Sequence, residues 1–313
     1  MPINMKKHTI ITAFLAIFIS INLNARDVNN LSSNTQTTYF IINPETSEYK
    51  VNTVVLETKR LYDYAPPIEL FNLQSDEKSL ILFSVLPSNS ISGNWTEIDL
   101  KGLKNIIDYA ALKKKTEQRF KTFLDSGRKN ADELKRDDIK LIIKKNGKYL
   151  VSNYCVTEYF VIINQAMMFP NQMGNIFINI QSPPLTVQSF ENHYKELYHD
   201  YSANAIISAN ATGSSFLLPP FQQPLLFLSG IMKVNEKKAY RFWQLSDWRI
   251  ADGLNFRRGI DRFLYQPEVG IVGGSFDFWF KKSISQDILF KNYLSEELLY
   301  PISINGAKVT TAL

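Results

Sequence analysis

The first patterned stretch of the chain is apolar on every side. From Ile10 to Ile21 only Thr12 and Ser20 interrupt it, Lys6, Lys7 and His8 precede it, and Asn22-Leu23-Asn24-Ala25 closes it on a small residue. Basic start, short apolar core and small-residue exit predict a cleavable secretory leader over 1–25, with a mature chain from near Arg26. A helix needs about 20 apolar residues to cross a bilayer core. This run is shorter, so no transmembrane anchor is expected after cleavage.

Beyond a polar start, β-branched and aromatic runs bounded by Asn, Pro, Ser or Asp predict strands at 38–42, 51–58, 68–73 and 79–85. The periodicity then changes. Leu112, Thr116, Phe120, Phe123 and Leu124 share a helical face, which predicts a helix from Asp108 to Ser126 with Asp108 as its cap. Asn146-Gly147 predicts a two-residue hairpin turn between 139–145 and 148–154, because that pair tolerates the positive φ of a type I′ turn. A β-meander is expected to continue through 156–163 and 175–181 until Pro183-Pro184. A second helix follows, striped by Val187, Phe190, Tyr194, Leu197, Tyr198 and Tyr201.

Residues 208–224 are rich in small residues and proline and suit a linker or an ordered loop. Past them, 225–234 and 239–245 predict another hairpin. Val269 to Lys281 reads as one long strand bent at Gly270, Gly273 and Gly274. Residues 285–299 read as a third helix, and Asn305-Gly306 as a second Asn-Gly turn. The expected fold class is α+β: antiparallel β-hairpins and a meander with about three helices. The expected organisation is a leader at 1–25, an α+β domain at 26–208, and a smaller α+β region at 209–313 that packs separately or as one domain with it.

Composition narrows the compartment. Cys155 is the only cysteine, so no intrachain disulfide can form and an exported chain must hold together by packing alone. That points to a bacterial periplasm. Cys155 lies among Tyr154, Val156, Tyr159 and Phe160, which predicts a buried structural thiol. The formal charge of +5 falls to +3 once Lys6 and Lys7 leave with the leader, too mild to imply nucleic acid.

The motifs exclude more than they assign. HExxH, Gly-x-Ser-x-Gly, a phosphate loop and GxGxxG are all missing from the sequence. No cofactor is expected, and no metal site: His193, Glu196 and Asp200 share a helical face but read as solvated. Asp277, set between Phe276 and Phe278, reads as either a carboxylate with a raised pKa or the polar side of a strand.

One cluster stands out. Five of the ten arginines fall between 241 and 262, namely Arg241, Arg249, Arg257, Arg258 and Arg262, interleaved with aromatics that include Trp243 and Trp248. Guanidinium pairs with carboxylate or phosphate through a planar fork and stacks on aromatic rings. Asp247, Asp252 and Asp261 lie alongside and offer internal partners. These residues therefore read either as an internal network or as a binding surface. The expectation is an exported, periplasmic or secreted, non-catalytic binding protein for a partner protein or an anionic envelope component, an immunity-type protein being one form. The alternative is a cell-envelope hydrolase that uses carboxylates or a Ser/His pair.

Overall fold

The structure, a computed structural model, describes residues 37–87, 93–126, 139–165, 177–197, 225–245, 259–282, 284 and 295–309. The leader, the 208–224 segment and Trp248, Arg249, Arg257 and Arg258 lie outside the described residues.

Three sheets stack in layers. The central sheet has seven strands: β2 (Lys50–Leu56), β3 (Ile68–Gln74), β4 (Ser79–Val85), β9 (Cys155–Ile163), β10 (Phe177–Asn179), β15 (Pro301–Ile304) and β16 (Ala307–Lys308), in the order β10-β9-β4-β3-β2-β15-β16. A five-stranded sheet comprises β1 (Thr38–Ile41), β5 (Trp95–Glu97), β6 (Ile106–Ile107), β7 (Ile139–Lys145) and β8 (Lys148–Ser152), ordered β5-β8-β7-β1-β6. A four-stranded sheet runs β11 (Leu225–Val234), β12 (Lys237–Leu245), β13 (Phe263–Gln266) and β14 (Gly270–Gly274) in sequence order. Four helices occur among the described residues: α1 (Lys59–Tyr62), α2 (Tyr109–Ser126), α3 (Val187–Leu197) and α4 (Asp277–Lys282).

Strand β4 shows why the layers form. Its seven residues, SLILFSV, are all buried. Successive side chains of a strand point to opposite faces. Leu80 and Leu82 accordingly enter one core, shared with Leu226, Phe242, Phe263 and Ile271 of the four-stranded sheet. Ile81, Phe83 and Val85 enter a second core, shared with Phe40, Ile139 and Leu141 of the five-stranded sheet and with Tyr109 and Leu112 of α2. Burying each such large apolar side chain contributes about 1.5–3 kcal/mol. Cys155 is fully buried in the second core, as its neighbours predicted.

The local signals are met. Asp108 Oδ1 accepts the Ala111 N–H at 2.8 Å, capping α2. Asn146 and Gly147 turn with φ of 51° and 78°, and Asn305 and Gly306 with 49° and 78°, joining β7 to β8 and β15 to β16.

Four expectations are corrected. The sheets are mixed, because β1 runs parallel to both β6 and β7, and β10 runs parallel to β9. The meander does not continue after β8: β9 crosses into the central sheet and pairs with β4. The long strand at 269–281 stops at Gly274 and gives way to α4. Residues 276–280 are buried throughout, so neither a strand nor a helix period shows in their sequence. Of the helix expected at 285–299, residues 295–299 are not helical, with Leu299 bridging Gly274, and 285–294 lie outside the described residues.

Candidate functional site

A cleft of about 330 Å³ opens where α1, β12 and the 296–300 segment meet, lined by Arg60, Leu61, Arg241, Glu296, Glu297, Leu298 and Tyr300. Its three walls come from parts of the chain far apart in sequence, and each is fixed by interactions behind it.

The α1 wall is one helical turn. Thr58, buried, sets its Oγ1 between the Tyr64 and Pro66 carbonyls at 2.6 and 2.8 Å. Asp63 ends the turn in a left-handed conformation, donating its N–H to the Lys59 carbonyl at 3.0 Å. Tyr62 is thereby aimed inward, where it stacks on Phe280 at 3.8 Å, while Arg60 and Leu61 face the cleft.

The 296–300 wall is held by backbone pairing. Leu299 exchanges two hydrogen bonds with Gly274, at 2.7 and 3.1 Å. A Cβ on neighbouring Gly273 would come within 2.8 Å of the Leu299 carbonyl, so this approach requires glycine. Behind Glu297 lies Arg262, whose Nε donates to the Glu297 carbonyl at 3.1 Å.

Arg262 belongs to the interior. It is 3% exposed, and its Nη1 lies 2.7 Å from Asp277 Oδ2, with Asp277 fully buried. Tyr62 donates its hydroxyl proton to Asp277 Oδ1 at 2.7 Å and accepts the Phe276 N–H at 2.7 Å. Burial pushes the Asp277 carboxyl above the usual carboxylate range, against the pull of Arg262. Burial also works against the Arg262 charge, but the oxygens of Asp277, Tyr62 and Asp261 outweigh it and keep the guanidinium above its ordinary value. The Tyr62 phenol is held well above its usual value by burial and by the Asp277 charge. Asp277, across the β13–β14 hairpin, is thus an ion-pair partner of Arg262, beside the charge of Asp261.

In the cleft itself, Arg241 Nη2 meets Glu296 Oε1 at 3.0 Å, and its Nε donates to Ser229 Oγ at 2.9 Å. Arg60 lies with its guanidinium carbon 5.2 Å from the centre of the Tyr300 ring. It makes no ion pair among the described residues. Stacking of this kind leaves the edge of the guanidinium fork open to an incoming anion.

Of the seven arginine and tryptophan residues singled out from the sequence, Arg241 lines the cleft. Trp243 and Arg262 are buried. Trp243 donates its ring N–H to the Leu185 carbonyl at 2.7 Å and stacks on Phe227, fixing the approach to α3. These two side chains form interior contacts and present no surface to a partner. Trp248, Arg249, Arg257 and Arg258 lie outside the described residues. Arg60, Glu296, Glu297 and Tyr300 escaped the sequence reading, since nothing local marks them and they converge only in the fold. His193 is exposed on α3, 4.0 Å from Glu196, away from the cleft. Among the described residues no group of three or more metal-ligating side chains is assembled, and no helix is long and apolar enough to cross a membrane.

The fold and site together define a three-layered, sheet-rich α+β protein with an arginine-bearing cleft at the junction of two sheets. Compared with known proteins, the chain matches no family model, no curated protein and no solved structure.

Proposed function

We propose that this chain is an exported, periplasmic, non-catalytic binding protein, and that the cleft receives an acidic side chain or chain terminus of a partner protein. An immunity-type protein that masks its partner is one form of this activity. The observation that carries the reading is Arg60, which lines the cleft over the Tyr300 ring and makes no ion pair among the described residues. A guanidinium with a free fork offers bidentate pairing to a carboxylate, among the stronger hydrogen-bonding arrangements available to a protein. The cleft volume lies at the small end of the range for ligand sites. It suits one inserted group, with the surrounding surface making the rest of the contact. Arg241 is already engaged by Glu296 and acts as a wall rather than as the free cation. Export rests on the leader pattern at 1–25.

The test uses immobilised full-length mature protein and an envelope extract from the source cell. Wild type is expected to retain one acidic protein, released by added salt, and Arg60→Ala is expected to lose it without a change in melting temperature. Equal retention by Arg60→Ala removes the cleft from the reading. Retention of an anionic polymer in place of a protein reassigns the partner to the envelope. N-terminal sequencing of the periplasmic protein tests export, with a start near Arg26 expected.

A second reading, a carboxylate-dependent hydrolase, draws on one observation: Glu296 and Glu297 line the same cleft. Release of reducing sugar from cell-wall fragments by wild type, abolished in Glu296→Gln, would establish it.

A further inference from the structure

The two Asn-Gly turns share a backbone conformation and differ in what holds the asparagine. Asn305 is tied into the central sheet. Its N–H donates to the Thr53 carbonyl at 2.7 Å, its Oδ1 accepts the Thr53 N–H at 2.8 Å, and its Nδ2 donates to Asn52 Oδ1 at 3.0 Å. Asn52 is itself buried and anchored to the Glu268 carbonyl. Asn146 is exposed at the tip of the β7–β8 hairpin, and its side chain makes no hydrogen bond among the described residues. Both asparagines are exposed, and an added Cβ on Gly147 or on Gly306 would meet nothing within 4 Å, so the two turns differ in the side-chain hydrogen bonds of the asparagine.

We infer that Asn146 is a site of spontaneous backbone-assisted deamidation and that Asn305, with the same dipeptide and the same turn, is protected. In the reaction the Gly147 backbone nitrogen loses its proton to solvent base and attacks Asn146 Cγ. The new C–N bond closes a five-membered imide, and the side-chain nitrogen takes up a proton and leaves as ammonia. Water then adds to either imide carbonyl and breaks one of its two C–N bonds, giving aspartate or isoaspartate. The net change is one water consumed and one ammonia released, with no oxidant or reductant. Glycine at position 147 matters because it has no side chain to obstruct the attack.

Asn305 must first give up both side-chain hydrogen bonds to turn Cγ toward the Gly306 nitrogen. Two such bonds of ordinary net strength correspond to a slowing on the order of 10- to 100-fold. At Asn146 the product has consequences of its own. Isoaspartate lengthens the backbone within a two-residue turn, and turn length sets the register of the hairpin. Either product also places a carboxylate among Lys144, Lys145 and Lys148, the last of which now pairs with Glu97 at 2.7 Å.

The experiment incubates the folded protein in mildly alkaline buffer at body temperature and then cleaves it after glutamate. The peptides covering 134–158 and 298–313 report the two sites. The 134–158 peptide is expected to gain the mass of an amide-to-acid exchange at Asn146, with isoaspartate present, at least 10-fold faster than the 298–313 peptide gains it at Asn305. In urea the ratio is expected to fall by about the same factor, since the hydrogen bonds of Asn305 are then lost. Equal rates in the folded protein, or modification of neither site, overturn the inference. A ratio that persists unchanged in urea also overturns it, because flanking sequence would then be the cause.

Discussion

Replacing Arg262 by methionine keeps much of its length and removes its charge. In the folded protein this leaves Asp277 fully buried with Tyr62 as its remaining described partner, and leaves the Glu297 carbonyl without its Nε donor. Breaking a buried pair from one side costs about 3–5 kcal/mol, because the other charge is stranded away from water. A domain of this size loses roughly 2–4 °C of melting temperature per kcal/mol, so the fall is about 6–20 °C. Two controls separate a stranded charge from a packing defect. Arg262→Met combined with Asp277→Asn removes both charges and keeps an acceptor for Tyr62, and is expected to recover a large part of the loss. Acid gives the second control. Without Arg262 the Asp277 carboxyl lies further above its unfolded value, so folding favours its protonated form. The penalty is therefore absent below the unfolded value, near about 4, and grows as pH rises toward the folded one. The deficit of the single variant against wild type, followed by thermal melts across that range, should shrink in acid. A deficit below about 1 kcal/mol at neutral pH, or one that is flat with pH, refutes the buried-pair account of Arg262.

Two further substitutions test the layers around the site. Asn72 is fully buried in the central sheet and reaches across to β14, its Oδ1 accepting the Ile271 N–H at 2.8 Å and its Nδ2 donating to the Ile271 carbonyl at 2.9 Å. Asn72→Ala strands both backbone groups at about 1–3 kcal/mol each, so chemical denaturation should show a loss of about 2–6 kcal/mol, and no loss would mean that those groups find other partners. Asp76 accepts from the Lys78 N–H, Ser79 Oγ and Lys113 Nζ, which outweigh the opposing effect of its partial burial and hold its carboxyl below the usual range. Its contribution is present above the unfolded value of about 3.9 and is lost as pH falls through the folded value. The stability advantage of wild type over Asp76→Asn should accordingly be constant near neutrality and vanish in acid.

What could be read from the sequence followed the range of each interaction. Asn146-Gly147 and Asn305-Gly306 declare their turns because the conformational demand falls on two adjacent residues. Asp108 declares the start of α2 because a cap reaches only three residues on. Strand β4 is legible as a strand, but nothing in SLILFSV says that its two faces serve different cores. Sheet membership is a long-range property, and so the departure of β9 from the β7–β8 hairpin was hidden. Segment 276–280 hid its helix for another reason: a short element buried on all sides has no polar face to set a period. The arginine cluster was visible as composition, but no local window could show that Asp277, 15 positions further on, pairs with Arg262 beside the nearby charge of Asp261. Arg60 was invisible as a site residue because Tyr300 and Arg241 reach it only through the fold.

Strand β15 pairs with β2, and Asn305 contacts Thr53 across 252 positions of chain. Closing a loop of that length exacts its entropic cost before any of the pairing enthalpy is returned. Pairings this distant slow the search for the native state. The central sheet therefore stays open along one side of β2 until nearly all of the intervening polypeptide has emerged. The same delay leaves the β2 edge as a temporary template for strands of other molecules. Refolding yield should thus fall as protein concentration rises, and a synthetic peptide matching 298–309 should compete for that edge during refolding.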